Sequence, residues 1–118
     1  MEGRSIVASR LIAIKADVVE NLGNRELTAG WLALRHHVSA RYIQMLFGSE
    51  NTTLSVFLIE KRLESADGLL GNPGSSGRSI SSIAFECGFG DLSYFNRAFR
   101  KRFGMTPSER RAGAMRGH

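Results

Sequence analysis

A chain of 118 residues and 13.0 kDa has room for one domain, or for two small subdomains sharing an element, and its 42% hydrophobic and 23% charged residues place it among ordinary soluble globular proteins. No apolar run approaches the roughly 18 residues of a membrane span, no charged start leads into an apolar run and a cleavage site, and the single cysteine, Cys87, excludes an internal disulfide and a cysteine-built metal site; a cytoplasmic protein is expected. The formal charge of +5 is unevenly spread, with nine basic and eight acidic residues up to Arg78 but seven basic and three acidic from Ser79 on, so the positive excess lies in the last third of the chain.

From Ser5 to about Leu22 the apolar residues Val7, Leu11, Ile14, Val18 and Leu22 recur at spacings of three and four, which predicts a helix with one inward stripe, ended by Gly23-Asn24 and serving as scaffold. Thr28 is an N-cap for a second helix that runs through Trp31, Leu32 and Leu34 to about His37. Val38-Ser39 makes a tight turn, and Ser39 caps a helix over Ala40–Gly48. Its residues Ile43, Leu46 and Phe47 share one face, with Arg41, Gln44, Met45 and Gly48 on the other.

A long helix follows from about Thr53 to Leu70, with Val56, Ile59, Leu63, Ala66 and Leu70 as its stripe and Leu58 and Leu69 broadening it. At 1.5 Å per residue it spans roughly 27 Å, suited to holding elements about one duplex turn apart. Glu60 or Glu64 is placed to pair with neighbouring basic side chains. Residues 71–77, GNPGSSG, form a connector, and Ser79 caps a helix over Ile80–Cys87. Gly88 and Gly90 permit a sharp turn before Asp91, which caps a helix whose Phe95, Ala98 and Phe99 face inward while Ser93, Asn96, Arg97 and Arg100 face out. Gly104 ends it. Thr106-Pro107-Ser108-Glu109 then combines a capping box with a proline at the first helical position, predicting a short last helix to about Ala112 and a frayed tail over 113–118, from which Arg116 can touch phosphate.

Two short helices around a sharp turn, the second with a basic outward face, are the anatomy of a helix-turn-helix, whose second helix enters a DNA major groove. The pattern occurs twice. Ala33 matches Ala84 as the small residue that lets two helices cross closely; Ile43, Leu46 and Phe47 match Phe95, Ala98 and Phe99; Arg41, Gln44 and Met45 match Ser93, Asn96 and Arg97. The second turn is one residue longer than the first.

The run IAFECGFGDLSYFNRAFRKRFGMTPSERR resembles the signature of the AraC/XylS family of bacterial transcription regulators: a small residue, then Gly-Phe, Asp, Ser-Tyr-Phe, Arg, Phe, Phe-Gly, Thr-Pro and a final Arg. The run RLESADGLL is similar to the family's linker helix at Arg62, Leu63, Ala66, Leu69 and Leu70. The resemblance implies an all-α fold of about seven helices, with two helix-turn-helix subdomains joined by a long linker helix. Its parts are a first unit over 1–52, the linker over 53–70, a loop over 71–78, a second unit over 79–112 and the tail. It also implies base contacts from Arg41, Gln44 and Met45 in the first unit and from Ser93, Asn96 and Arg97 in the second.

The side chains agree with that assignment. Arginine pairs with guanine and glutamine or asparagine with adenine, so Arg41, Gln44, Asn96 and Arg97 are the residues equipped to read base edges. Met45 stands where the family often has a basic residue, and a thioether only packs on a thymine methyl or a sugar. Ser39, Tyr42, Tyr94, Arg100, Lys101 and Arg102 are the phosphate candidates, the two tyrosines equally suited to closing the edge of the core. Asn51 occupies a usual glycine position of the family and can still adopt the left-handed turn. His36 and His37 point about 100° apart on a helix, which suits a helix end or a phosphate rather than one shared metal. Cys87 reads as a small core residue.

No Ser-His-Asp set, carboxylate pair or phosphate loop occurs, so neither enzyme activity nor a cofactor or metal is expected. The reading is a sequence-specific regulator, an activator, acting on double-stranded DNA in the bacterial nucleoid by placing two recognition helices in successive major grooves. The resemblance adds RNA polymerase and an N-terminal sensing or dimerising domain as partners, and no membrane; the chain is then either an excised portion or a stand-alone regulator. The alternative is a helical module docking a polymerase subunit or sensor domain, whose binding would not fall steeply with salt.

Overall fold

The computed structural model describes residues 3–116, and the described residues form seven α-helices and no strand. In chain order these are α1 (Arg4–Glu20), α2 (Ala29–His36), α3 (Ala40–Gly48), α4 (Leu54–Leu70), α5 (Ile80–Glu86), α6 (Leu92–Phe103) and α7 (Pro107–Arg116). The chain divides after Ile59, within α4, into two compact units.

In the first unit Leu11, Ile14 and Val18 of α1 pack with Leu32 and Ala33 of α2 and with Ile43, Leu46 and Phe47 of α3, and Leu54 and Leu58 of α4 complete the cluster. The predicted stripe of α1 is therefore its buried face. The helix stops at Glu20, two residues before its predicted end: the Asn21 side-chain amide donates to the Asp17 carbonyl at 2.8 Å and to the Asp17 carboxylate at 2.9 Å, so the last turn is closed locally and Gly23 is not needed for it.

Asp17 is the polar residue of this core. It is 9% exposed and accepts two hydrogen bonds from the Arg35 guanidinium, at 2.9 and 2.8 Å, and pairs with His36 Nε2 at 2.8 Å, tying α1 to the end of α2. The Arg35 bonds first, then His36, hold its carboxyl below the ordinary carboxylate range against the opposing pull of burial. A carboxyl whose folded pKa is depressed stabilises the fold above its unfolded range, and that contribution fades as pH falls through the folded value. Asp17→Asn is accordingly expected to cost about 1–2 kcal/mol near neutrality. Urea unfolding of both proteins at about pH 7 and about pH 3 checks this, because the gap should narrow toward the acid end.

In the second unit Leu63, Ala66 and Leu70 of α4, Ile83 and Ala84 of α5, and Phe89, Phe95 and Phe99 are buried. The aromatic rings run in sequence, with centroids 4.9 Å apart for Phe89–Phe95, 5.7 Å for Phe95–Phe99 and 4.7 Å for Phe99–Phe103. Arg62 is also buried, and desolvation lowers its guanidinium pKa. Along α4, Val56 departs from expectation: it is 49% exposed, because Leu54 and Leu58 supply the inward positions of the first turns and Val56 lies on the opposite side of the helix from Leu54.

The last helix also departs from expectation. Instead of fraying after Ala112 it continues through Arg116, and of the predicted tail only Gly117 and His118 lie outside the described residues. Its start is fixed by the reciprocal bonds of the capping box, Glu109 N–H to Thr106 Oγ1 at 3.1 Å and Thr106 N–H to Glu109 Oε1 at 3.2 Å. Arg110 then anchors it to Asp67 of α4 at 2.6 Å. With two fixed points, the helix absorbs the roughly 1 kcal/mol cost of Gly113. The connector holds one 3-10 turn over Pro73–Ser75, with the Asn72 side chain accepting from the Gly74 N–H at 2.9 Å.

Candidate nucleic-acid interface

Each unit presents its outward face through the same construction. Between α2 and α3 the chain reverses on His37, in the left-handed conformation at φ 57°, and the Val38 N–H donates to the Ala33 carbonyl at 3.1 Å. Between α5 and α6 it reverses on Gly88 at φ 101°, and the Phe89 N–H donates to the Ala84 carbonyl at 3.0 Å. Thus the matched alanines of the repeat, both buried, accept matched bonds from the residue after the left-handed one. The added residue of the second turn is Gly90, which has no positive φ and open space around it; Gly88 alone supplies the special conformation.

The next helix of each unit then begins on a matched cap. Ser39 Oγ accepts the Tyr42 N–H at 3.0 Å, and Asp91 Oδ1 accepts the Tyr94 N–H at 3.1 Å. The Ser39 hydroxyl thereby has its acceptor engaged and its proton available. Beyond the caps the helices separate by face. On α3, Ile43, Leu46 and Phe47 are fully buried, whereas Arg41, Gln44 and Met45 are exposed. On α6, Phe95 and Phe99 are fully buried and Ala98 half-buried, whereas Ser93, Asn96 and Arg97 are exposed. Each helix thus gathers its predicted base-reading residues on one solvent face.

The phosphate candidates divide more finely. Arg100, Lys101 and Arg102 are exposed in the last turn of α6, where cations also suit the negative end of the helix dipole. Arg102 further stacks over the Phe103 ring at 4.9 Å. Tyr94 is 37% exposed with its ring 6.4 Å from Phe89, so it closes the core edge and still offers its hydroxyl to solvent. Tyr42 is half-buried beneath the Arg10 guanidinium, 5.5 Å from its ring.

Other predicted residues sit elsewhere. His36 is not a cap, its Nε2 being held by Asp17, while His37 is the C-cap of α2. Asn51 adopts the left-handed conformation at φ 57° that its position calls for. Cys87 is 2% exposed beside Ser65 Oγ at 3.6 Å, and burial pushes its thiol pKa up, which suits a core residue and not a nucleophile. The Asp17 cluster and the Arg10–Tyr42 contact escaped the sequence reading; the one available signal was an aspartate set directly beside an inward valine.

Comparison with known proteins agrees with this geometry. A family described as helix-turn-helix domain matches residues 32–113. The transcriptional activator RhrA of Rhizobium meliloti is 41% identical over 103 residues, covering 87% of this chain and 32% of RhrA. The regulator ExsA of Pseudomonas aeruginosa is 44% identical over 69 residues, covering 58% of this chain and 24% of ExsA. The chain therefore spans about a third or less of these curated relatives. The crystal structure of an AraC-type transcriptional regulator from Chromobacterium violaceum superposes with a TM-score of 0.80 at 28% identity, over 94% of this chain and 96% of that one. A turn built twice on the same bonds, the outward faces it carries and these matches make the chain a member of the AraC/XylS family of helix-turn-helix transcription regulators.

Proposed function

We propose that this chain binds double-stranded DNA sequence-specifically through α3 and α6, each entering a major groove, and so acts as a transcription activator. The observation that carries this reading is the recurrence of one turn, one cap and one exposed reading face in two separate units. Arg97 and Arg41 suit guanine, Asn96 and Gln44 suit adenine, Ser93 suits either, and Met45 suits a thymine methyl. Arg100, Lys101, Arg102, Ser39, Tyr42 and Tyr94 supply contacts to the backbone, which position the protein without selecting sequence. Three relatives are named transcriptional activators, RhrA, NphR of Rhodococcus and RhaR of Mannheimia succiniciproducens, which supports activation over repression. On this reading RNA polymerase is a partner, a sensing or dimerising domain is a further one, and the site of action is the bacterial nucleoid.

Selection of preferred sites from random duplexes, followed by footprinting, tests the proposal. The expected result is one enriched sequence with two separated conserved blocks, protected over about two helical turns, and an affinity that falls steeply as salt rises. Recovery of no preferred sequence, with binding indifferent to salt, would favour a protein-docking module instead.

A further inference from the structure

The two recognition helices are unequally armed for holding a polyanion. α6 carries Arg97, Arg100, Lys101 and Arg102, whereas α3 carries Arg41 alone. The first unit makes up part of this deficit from an element that the sequence presents as plain scaffold. Where α1 passes the turn between α2 and α3, an open groove of about 390 Å³ is lined by Arg10, His36, His37, Val38 and Tyr42, together with Ala13 and Ile14 at its base. One guanidinium, two imidazoles and a phenol border it, and among the described residues that line it there is no carboxylate. The acidic group touching this wall, Asp17, already has Arg35 and His36 as partners. Arg10 is exposed, its guanidinium set 5.5 Å from the Tyr42 ring at the first turn of α3.

The arrangement suits a phosphate and not an apolar ligand. The stacked ring restricts the long Arg10 side chain, so less freedom is lost when its N–H groups meet an anion. His37, exposed and fixed in the left-handed cap, adds a second donor at the groove rim. Arg41 and Gln44 lie on the same helix as Tyr42, so a strand whose bases they read passes this end of α3.

We infer that Arg10 of α1, with His37, seats a DNA backbone phosphate flanking the bases read by α3, so that the first helix belongs to the binding interface. The inference rests on the DNA-binding reading above. On it, Arg10 sets affinity and register for the first unit and carries no sequence information.

The test measures binding of the full chain, Arg10→Gln and Arg10→Lys to the selected duplex and to a scrambled one across a salt series. Arg10→Gln should weaken both duplexes by the same factor, roughly five- to tenfold, and make the slope of log affinity against log salt shallower by about 0.9, while Arg10→Lys keeps most of that slope. A scan of single methylphosphonate linkages should find one position beside the first half-site whose neutralisation weakens the wild type and costs Arg10→Gln nothing more. Arg10→Gln binding with the wild-type affinity and slope would overturn the inference while leaving the DNA-binding reading intact; Arg10 would then serve the packing of the first unit. A wild type that binds no duplex would overturn both. Were Arg10→Gln to lose its fold in a thermal melt, the scan on the wild type decides alone, and no sensitive linkage beside the first half-site would end the proposal.

Discussion

Phe95→Ala is expected to destabilise the second unit by about 3–5 kcal/mol, the cost of deleting a fully buried phenyl ring from a core that cannot close over the gap. Phe95 is 0% exposed and stands between Phe89 at 4.9 Å and Phe99 at 5.7 Å, so truncation strips one neighbour from each of two other rings. Its backbone N–H donates to the Asp91 carbonyl at 3.0 Å, placing it in the first turn of α6, where the exposed face begins. A gap there frees the start of the helix that presents Ser93, Asn96 and Arg97. Chemical unfolding followed by circular dichroism measures the loss, and Phe95→Leu, which keeps most of the volume, should lose far less, under about 1.5 kcal/mol. An Ala variant that unfolds within about half a kcal/mol of the wild type would mean that the ring series is not the core of this unit.

The elements that sequence alone located are those fixed by neighbours in sequence. Thr28, Ser39, Ser79 and Asp91 cap the helices they were expected to cap, and each bond reaches only three residues ahead. The Thr106–Glu109 box behaves likewise, and Thr53, read as about the first residue of the long helix, proves to be its cap. The solvent faces of α3 and α6 were legible for a related reason: a period of 3.6 residues sorts Ile43 from Gln44 and Phe95 from Asn96 without knowledge of what packs on them.

What escaped depends on partners far along the chain. Asp17 meets Arg35 and His36 from 18 and 19 positions away, and nothing local marks those residues as its ligands. Arg10 gains meaning only when α1 lies beside Tyr42. The extension of α7 rests on Asp67, 43 residues before Arg110. Val56 fits the stripe of α4 as well as Leu58 does on spacing alone, and only the packed first unit shows which of the two is inside. The reversal on His37 is a different kind of omission, since histidine, though enriched among left-handed non-glycine residues, adopts other conformations far more often.

Arg97→Ala should lose roughly 1–3 kcal/mol of affinity on the preferred duplex and relax the preference at one base pair, because a guanidinium that forms paired bonds to a guanine edge contributes chiefly where that base is present. Arg97 is exposed on α6, one residue beyond Asn96, and its repeat partner on α3 is Met45, itself 49% exposed. The same position thus offers a five-donor fork in one unit and a thioether in the other, so on the proposed reading loss of Arg97 removes the stronger of two unequal readers. Lys101→Ala supplies the contrast. On the proposed reading, lysine at the end of α6 meets the backbone as a point charge, and its loss should weaken preferred and scrambled duplexes alike while lowering the salt slope by about one. Competition binding over a panel of single base-pair variants separates the two. Uniform weakening by Arg97→Ala, or a changed base preference in Lys101→Ala, would reverse the division between reading and anchoring assigned to this helix.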